Sequence, residues 1–251
     1  MVKFGVADYG IDVWEGGCFS LEKRLIQLKA LGYDGIEWLK GMDTADAFAN
    51  AVTFHRCAMD FASCSLSVPE MTLKCACAFG KSYVWLPIKT RDVNMETYCR
   101  RSRTFCAGAA EYGVSGAIHN HLGARIESQE ELEVFLREVP AAKLLLDIGH
   151  LAGAGGDCAA VIEKYADRLA AVHFKGIEVT DPTQTLENWS KRFRLCGLRE
   201  DTLGIDFPGI VNALKKVHYD GWLLIEHDTH LRDPYRELED DLMVLKQLWN
   251  S

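Results

Sequence analysis

SGAIHNHLGA, residues Ser115 to Ala124, is a short run of small and β-favouring residues that ends in His119 and His121. On a strand, side chains two apart share a face, so both rings are expected to look into one space, about 7 Å apart along the chain. QEELEVFLREV, from Gln129, follows with a helical pattern, and KLLLDI, from Lys143, is the next β-rich run. Strand, helix, strand is the unit from which the fold is read.

Working outward, the unit recurs. KFGVA (from Lys3), GIEWL (from Gly35), AMDFASCSL (from Ala58), SYVWLPI (from Ser82), GAIHNH (from Gly116), KLLLDI, AAVHFK (from Ala170) and GWLLIEH (from Gly221) read as eight strands. Helical stretches separate them. The first is SLEKRLIQLKAL, opened by an N-cap Ser20, with Leu21, Leu25, Leu28 and Leu31 on one face. Others are METYCRRSRTFCAGAAEYG, DCAAVIEKYADRL, FPGIVNALKKV and DPYRELEDDLMVLKQLW. Strict alternation implies parallel strands with helical crossovers, and eight units close into an α/β (β/α)8 TIM barrel. The 251 residues fit one such domain, 1–251. An open doubly wound sheet is the alternative, but ADYGID after the first strand lacks its G-x-G-x-x-G turn.

Composition narrows the function classes. With 48% hydrophobic and 25% charged residues and no apolar run of membrane-spanning length, the chain reads as soluble, with no membrane partner. MVKFGVADYG enters a strand pattern without a cationic region and apolar run, so no secretory signal and a cytoplasmic location are expected. The nine cysteines are odd in number and form no C-x-x-C, which favours free thiols. Cys75 and Cys77 lie in the helical stretch PEMTLKCACAFG, where i and i+2 diverge by about 200° and make a poor chelate. A formal charge of −8 opposes nucleic acid binding, and Arg100–Arg103 (RRSR) reads as a solvated helix face.

A barrel places its chemistry at the C-terminal ends of its strands. Glu37, His119, His121, Asp147, His150, His173, Lys175 and Glu226 all fall there. A single strand-end Asp commonly only caps the next helix, but four consecutive strands ending in metal-capable or acid–base groups point to a site. Asp147, His173 and Glu226, with His119, form a mixed nitrogen and oxygen set. It suits one divalent ion, Mn²⁺, Co²⁺, Fe²⁺ or Zn²⁺, and suits Mg²⁺ less. Such an ion would polarise a carbonyl while a neighbouring base removes the α-proton. His121, His150, Lys175 and Glu37 are the residues available as acid and base, and Glu226 is both a ligand and a catalytic candidate.

IHNHLG, LLLDIGHLAGAGGD, YADRLAAVHFKG, GIDFPGIVNALKKVHYDGWLLIEHD and LGYDGIEWL resemble the xylose isomerase-like barrel superfamily of sugar phosphate isomerases and epimerases. The similarity is nearest to its inosose dehydratase branch and covers nearly the whole chain. It implies a metal-binding barrel acting on a carbohydrate or polyol ketone, with Asp147, His173 and Glu226 matching three of the family's ligands. The chain departs from the family in two places. His119-Asn120-His121 stands where many epimerases carry Glu-x-His, leaving His119 or Glu127 as the first ligand, and Gly176 stands where an Asp usually follows His-x-Lys.

Loss of water after α-proton removal needs one base and one acid, whereas a symmetric epimerase needs two comparable bases. A lyase acting on an inosose-like keto-polyol is therefore the first reading, and a ketose isomerase or 3-epimerase the second. A barrel endonuclease would need a basic rim that the net charge opposes, and a non-catalytic barrel subunit would have no use for the ligand set. Within the site, His119 is expected on the metal and His121 on the substrate, transferring a proton with His150 or Lys175 as partner. Trp14, Trp38, Trp85 and Arg199 are candidate substrate contacts beside Glu37. The stretch from Glu178 to Gly204 is long for a loop of this kind and is expected to cover the site and to order on ligand binding. A homo-oligomer is compatible with the sequence.

Overall fold

Each barrel strand is hydrophobic on both faces because each is covered twice, by helices outside and by the other strands inside. In the computed structural model, which describes residues 1–7, 20–228 and 231–251, this shows residue by residue. In Lys143–Asp147, Leu144 and Leu146 join the main core under the helices, while Leu145 belongs to a second cluster inside the barrel. Val172 and Phe174 likewise face out and Ala171 in, and Leu223 and Ile225 face out and Leu224 in. The strand period of two therefore runs unbroken from the interior layer to the residue at the strand's end.

In chain order the elements are β1 (Lys3–Val6), α1 (Leu21–Leu31), β2 (Gly35–Gly41), α2 (Thr44–Arg56), β3 (Asp60–Leu66), α3 (Pro69–Ala78), β4 (Tyr83–Trp85), α4 (Met95–Ala110), β5 (Ser115–His119) and α5 (Gln129–Glu138). Then follow β6 (Lys143–Asp147), α6 (Ile148–Gly153), α7 (Cys158–Lys164), β7 (Leu169–Phe174), β8 (Gly176–Val179), α8 (Trp189–Arg192), β9 (Phe193–Cys196), α9 (Phe207–Lys216), β10 (Trp222–Ile225) and α10 (Pro234–Asn250). Eight strands form one parallel sheet in the order β3-β2-β1-β10-β7-β6-β5-β4. β3 and β4 share no backbone ladder, and the ring closes there through the Ser63 hydroxyl, which donates to the Tyr83 carbonyl at 2.7 Å. All eight strands read from the sequence are present, as a (β/α)8 barrel.

Helix α1 begins at Ser20, whose hydroxyl accepts the Lys23 N–H, and buries Leu25 and Leu28. In α3, Cys75 is buried and Cys77 exposed, as their angular separation requires, and the described cysteines are free thiols. No helix among the described residues is long and apolar enough to cross a membrane.

Two parts differ from the sequence reading. β6 is followed by two short helices, so His150 sits in the first turn of α6 rather than at a strand end. The stretch from Glu178 to Gly204 is not an irregular loop: β8 and β9 pair antiparallel from Gly176↔Cys196 to Val179↔Phe193. Its apolar residues Ile177, Phe193 and Leu195 pack with Leu122 into a small core of their own. Trp14 and Cys18 lie outside the described residues.

Candidate functional site

The side chains two residues beyond the interior layer converge at one end of the barrel. His119 follows Ala117, Asp147 follows Leu145, His173 follows Ala171 and Glu226 follows Leu224, and all four are buried. One donor atom from each lies within 4.8 Å of the other three. The parallel register produces this convergence: Asp147 pairs with His173 across β6 and β7, and the Glu226 N–H bonds the Phe174 carbonyl at 3.0 Å just past the β7–β10 ladder.

Asp147 has two tasks. Its Oδ1 caps α6 by accepting the His150 N–H at 2.8 Å, while Oδ2 faces His119 Nε2 at 3.3 Å, His173 Nδ1 at 3.6 Å and Lys175 Nζ at 3.0 Å. Capping thus occupies one oxygen and leaves the other facing the cluster. Asn120 fixes its backbone: the Asn120 amide donates to the Asp147 carbonyl at 2.9 Å and accepts the Asp147 N–H at 2.9 Å. This wholly buried side chain adds a rung between β5 and β6 after the β5 ladder has ended. Sequence reading passed over it; its place between two histidines was the available signal.

His173 is held from both sides. Nδ1 lies 2.6 Å from Glu226 Oε2, and Nε2 lies 3.1 Å from Glu37 Oε1, which also accepts the Trp85 indole N–H at 2.9 Å. A carboxylate on the far nitrogen is the usual way a ligating imidazole is oriented. Lys175, wholly buried, reaches Asp147, Glu226 at 2.8 Å and Asp228 at 3.0 Å. Asp228 supplies the carboxylate that residue 176 does not. At Gly176 a Cβ would lie 2.4 Å from the Gly197 carbonyl oxygen, so the start of the hairpin excludes any side chain there. Gly149 is needed for the same kind of reason, since its Cβ would lie 2.3 Å from Lys175 Cγ.

The electrostatics follow from burial set against pairing. Burial holds the His119 imidazole down to about 4, against the opposing pull of Asp147, so the ring is neutral. Burial and then the Lys175 ammonium keep His150 well below the usual histidine range. Burial would lower His173 too, but Glu37 and Glu226 outweigh it and raise this group well above that range. Burial works against ionised Asp147 and Glu226, yet Lys175 and the neighbouring imidazoles bring both below the usual carboxylate range. For Asp228, burial outweighs Lys175 and raises the carboxyl. Three carboxyl groups, Asp147, Glu226 and Asp228, thus meet a single ammonium, Glu37 and Glu226 flank the His173 ring, and the His119 Nδ1 is buried with no hydrogen-bond partner. A surplus of carboxylate oxygen beside imidazole nitrogen fits a divalent cation held by His119, Asp147, His173 and Glu226, which would take the place of the proton on His173.

A cavity of ≈ 880 Å³ opens above this cluster, with Glu37, His119, His121, Glu226 and Asp228 among its lining. His121 reaches it by a route other than the strand pleat, because β5 ends at His119. The chain turns there, the His121 N–H bonds the Ile126 carbonyl, and the ring packs on His150 with centroids 3.8 Å apart and planes tilted by 39°. The two imidazoles of the motif end 5.9 Å apart. His150 and Lys175 are buried behind the lining rather than part of it. Glu127 is not in the cluster: it accepts the Gly123 N–H at 2.6 Å and pairs with Arg91 at 3.0 Å. Arg199 is exposed on a short 3-10 turn outside the lining, whereas Arg194 of β9, missed in the sequence, lines the cavity with Thr180, Trp189 and Phe193.

Residues 69–248 match the family described as the xylose isomerase-like TIM barrel. The chain belongs to that family. Among curated proteins it is similar to the rhizopine catabolism protein MocC of Rhizobium meliloti, 31% identical over 144 residues, or 55% of this chain and 44% of that one. It is also similar to inosose dehydratase of Clostridium beijerinckii, 29% identical over 137 residues, or 51% of this chain and 45% of that one. The match therefore spans less than half the length of either relative. Among solved structures, a xylose isomerase domain protein of Alicyclobacillus acidocaldarius subsp. acidocaldarius overlays the whole of both chains, with a TM-score of 0.75 and 16% identity, a likeness of fold.

Proposed function

We propose that this member of the xylose isomerase-like family is a metal-dependent lyase that removes water from a cyclic keto-polyol of the inosose class. The observation that carries the reading is the convergence of His119, Asp147, His173 and Glu226 beneath a cavity that His121 also lines. The similarity to inosose dehydratase and to a rhizopine catabolism protein supports the substrate class. A bound divalent ion, of the Mn²⁺, Co²⁺, Fe²⁺ or Zn²⁺ kind for this donor set, would polarise the substrate carbonyl and offset the charge that develops as the α-proton leaves.

The chain's own residues supply the proton transfer. His121 Nδ1 lies 2.6 Å from the Leu122 carbonyl, which can only accept, so this nitrogen carries the hydrogen and Nε2 keeps its lone pair. Nε2 takes the α-proton and, once charged, returns it to the departing β-hydroxyl, so one imidazole serves both half-steps. His150 holds the His121 ring plane from behind, and Lys175 keeps the carboxylates ionised. A second reading, ketose 3-epimerisation, draws on Glu37 and Glu226, which bracket His173 and both line the cavity as a carboxylate pair.

Metal analysis of the purified protein, followed by turnover on a panel of inososes and ketoses, tests the reading. Stoichiometric metal and a dehydrated dione from an inosose are expected. Interconversion of ketose epimers without loss of water would select the second reading, and absence of both reactions from the metal-loaded protein would refute the lyase.

A further inference from the structure

The cavity has two unlike halves. Its floor is the polar cluster, but its upper part is lined by two apolar walls from different segments of the chain. Trp38, Trp85 and Ile88 come from the ends of β2 and β4, which flank β3, and Trp189, Phe193 and Leu195 come from the segment that follows β7. The second wall reaches over the ends of β5 and β6, where the Trp189 ring lies 5.8 Å from His121 and 6.1 Å from His150. We propose that the substrate is a keto-polyol that carries a flat apolar or aromatic substituent, its polar ring on the floor and its substituent between these walls. The inference rests on the proposed function for the floor and adds the occupant of the upper half.

Size supports this. A bare six-carbon ring keto-polyol has about twelve heavy atoms, and even at the ~30 Å³ that a water molecule takes in the liquid it fills roughly 360 Å³. The cavity is ≈ 880 Å³. Chemistry supports it as well. A cyclic polyol can lay its C–H face on one indole, but its hydroxyls rim that face, whereas a flat apolar ring gains dispersion and burial against both walls.

The walls also have features that internal packing does not explain. Ile88 is 41% exposed although it lines the cavity. Trp38 meets Trp85 edge to face at 4.6 Å, yet its indole N–H is buried without a hydrogen-bond partner, while the Trp85 N–H is taken by Glu37. Trp38 therefore lines the cavity with its ring. Through Trp85 the wall is continuous with the floor, so a group attached to the reacting ring passes directly onto it.

The test uses the metal-loaded protein and two non-reacting probes, methyl β-D-glucopyranoside and phenyl β-D-glucopyranoside, compared by titration calorimetry. The phenyl compound is expected to bind about tenfold more tightly than the methyl compound. Trp38→Leu and, separately, the less intrusive Ile88→Ser should each reduce that ratio to about threefold or less. Equal affinities, no binding of the phenyl compound, or a ratio unchanged in both variants would overturn the proposal. Metal content and inosose turnover of the same preparation report on the floor alone. Their failure with the phenyl preference intact would sink the reaction and leave the walls assigned, and the reverse outcome would do the opposite.

Discussion

The floor and the roof of the cavity are built by different means. Each residue of the floor ends a parallel strand whose register is locked by neighbours on both sides, and each is placed by counting two from an interior alanine or leucine. The roof is an antiparallel hairpin outside the barrel, held by four residue pairs and by a cluster of Ile177, Phe193, Leu195 and Leu122. The floor shares the cooperative stability of the whole barrel, and the roof has only its own small core. The floor thus offers the fixed geometry that the proposed chemistry needs, and the roof the surface for the proposed recognition.

That contrast breaks most directly at the ligands. Asp147→Asn keeps an oxygen to cap α6, and Glu226→Gln keeps its shape. Both should lose the metal and, with it, at least about a thousandfold in turnover while the barrel stays folded. Metal content beside circular dichroism checks this, and full occupancy in both variants would end the assignment. The next largest effect separates the paired histidines. His121→Ala should retain stoichiometric metal and lose about 10²- to 10⁴-fold in turnover, whereas His119→Ala should weaken the metal itself. Normal turnover in the first variant would leave His121 as scaffold.

Asn120→Ala removes both hydrogen bonds to the Asp147 backbone without touching a ligand. A fall of about 10- to 100-fold in metal affinity, measured by competition with a chelator, is expected. No change would mean that the β5–β6 ladder alone positions Asp147.

The pH dependence probes the same floor. In the metal-free protein, Glu37 and Glu226 raise His173 above its unfolded value of about 6.5. The stability it contributes is fully present below that value and is lost as pH rises through the higher folded value. Metal requires the deprotonated ring, so affinity should grow over the same window. The gap in Tm between loaded and metal-free protein should therefore widen above about pH 6.5, and a gap that narrows would contradict His173 as a ligand. The smallest effect belongs to the roof. Trp189→Ala should leave metal content unchanged and raise KM severalfold, and a loss of metal there would show that roof and floor are not separable.

Much of this could be read from the chain. Eight β runs, their alternation with helices and the polar residue closing each of β5, β6, β7 and β10 are local properties, because periodicity is written in consecutive residues. The parallel barrel follows from that alternation, and a barrel brings strand ends together whatever the loops do. Only the tertiary structure decided what the loops contribute. Glu127 is a rival to His119 in the sequence, but Arg91 and the Gly123 N–H draw Glu127 away from the cluster. Arg199 and Arg194 lie five positions apart, and the hairpin register brings Arg194 to the cavity and leaves Arg199 exposed. His121 reaches the cavity through a turn and its ring contact with His150, not through a strand pleat. Asp228 pairs with Lys175 across 53 positions of chain, a contact that exists only because β7 and β10 are neighbours in the ring. Strand positions repeat with a fixed period and can be counted, whereas loop positions are set by contacts with distant residues that no local pattern encodes.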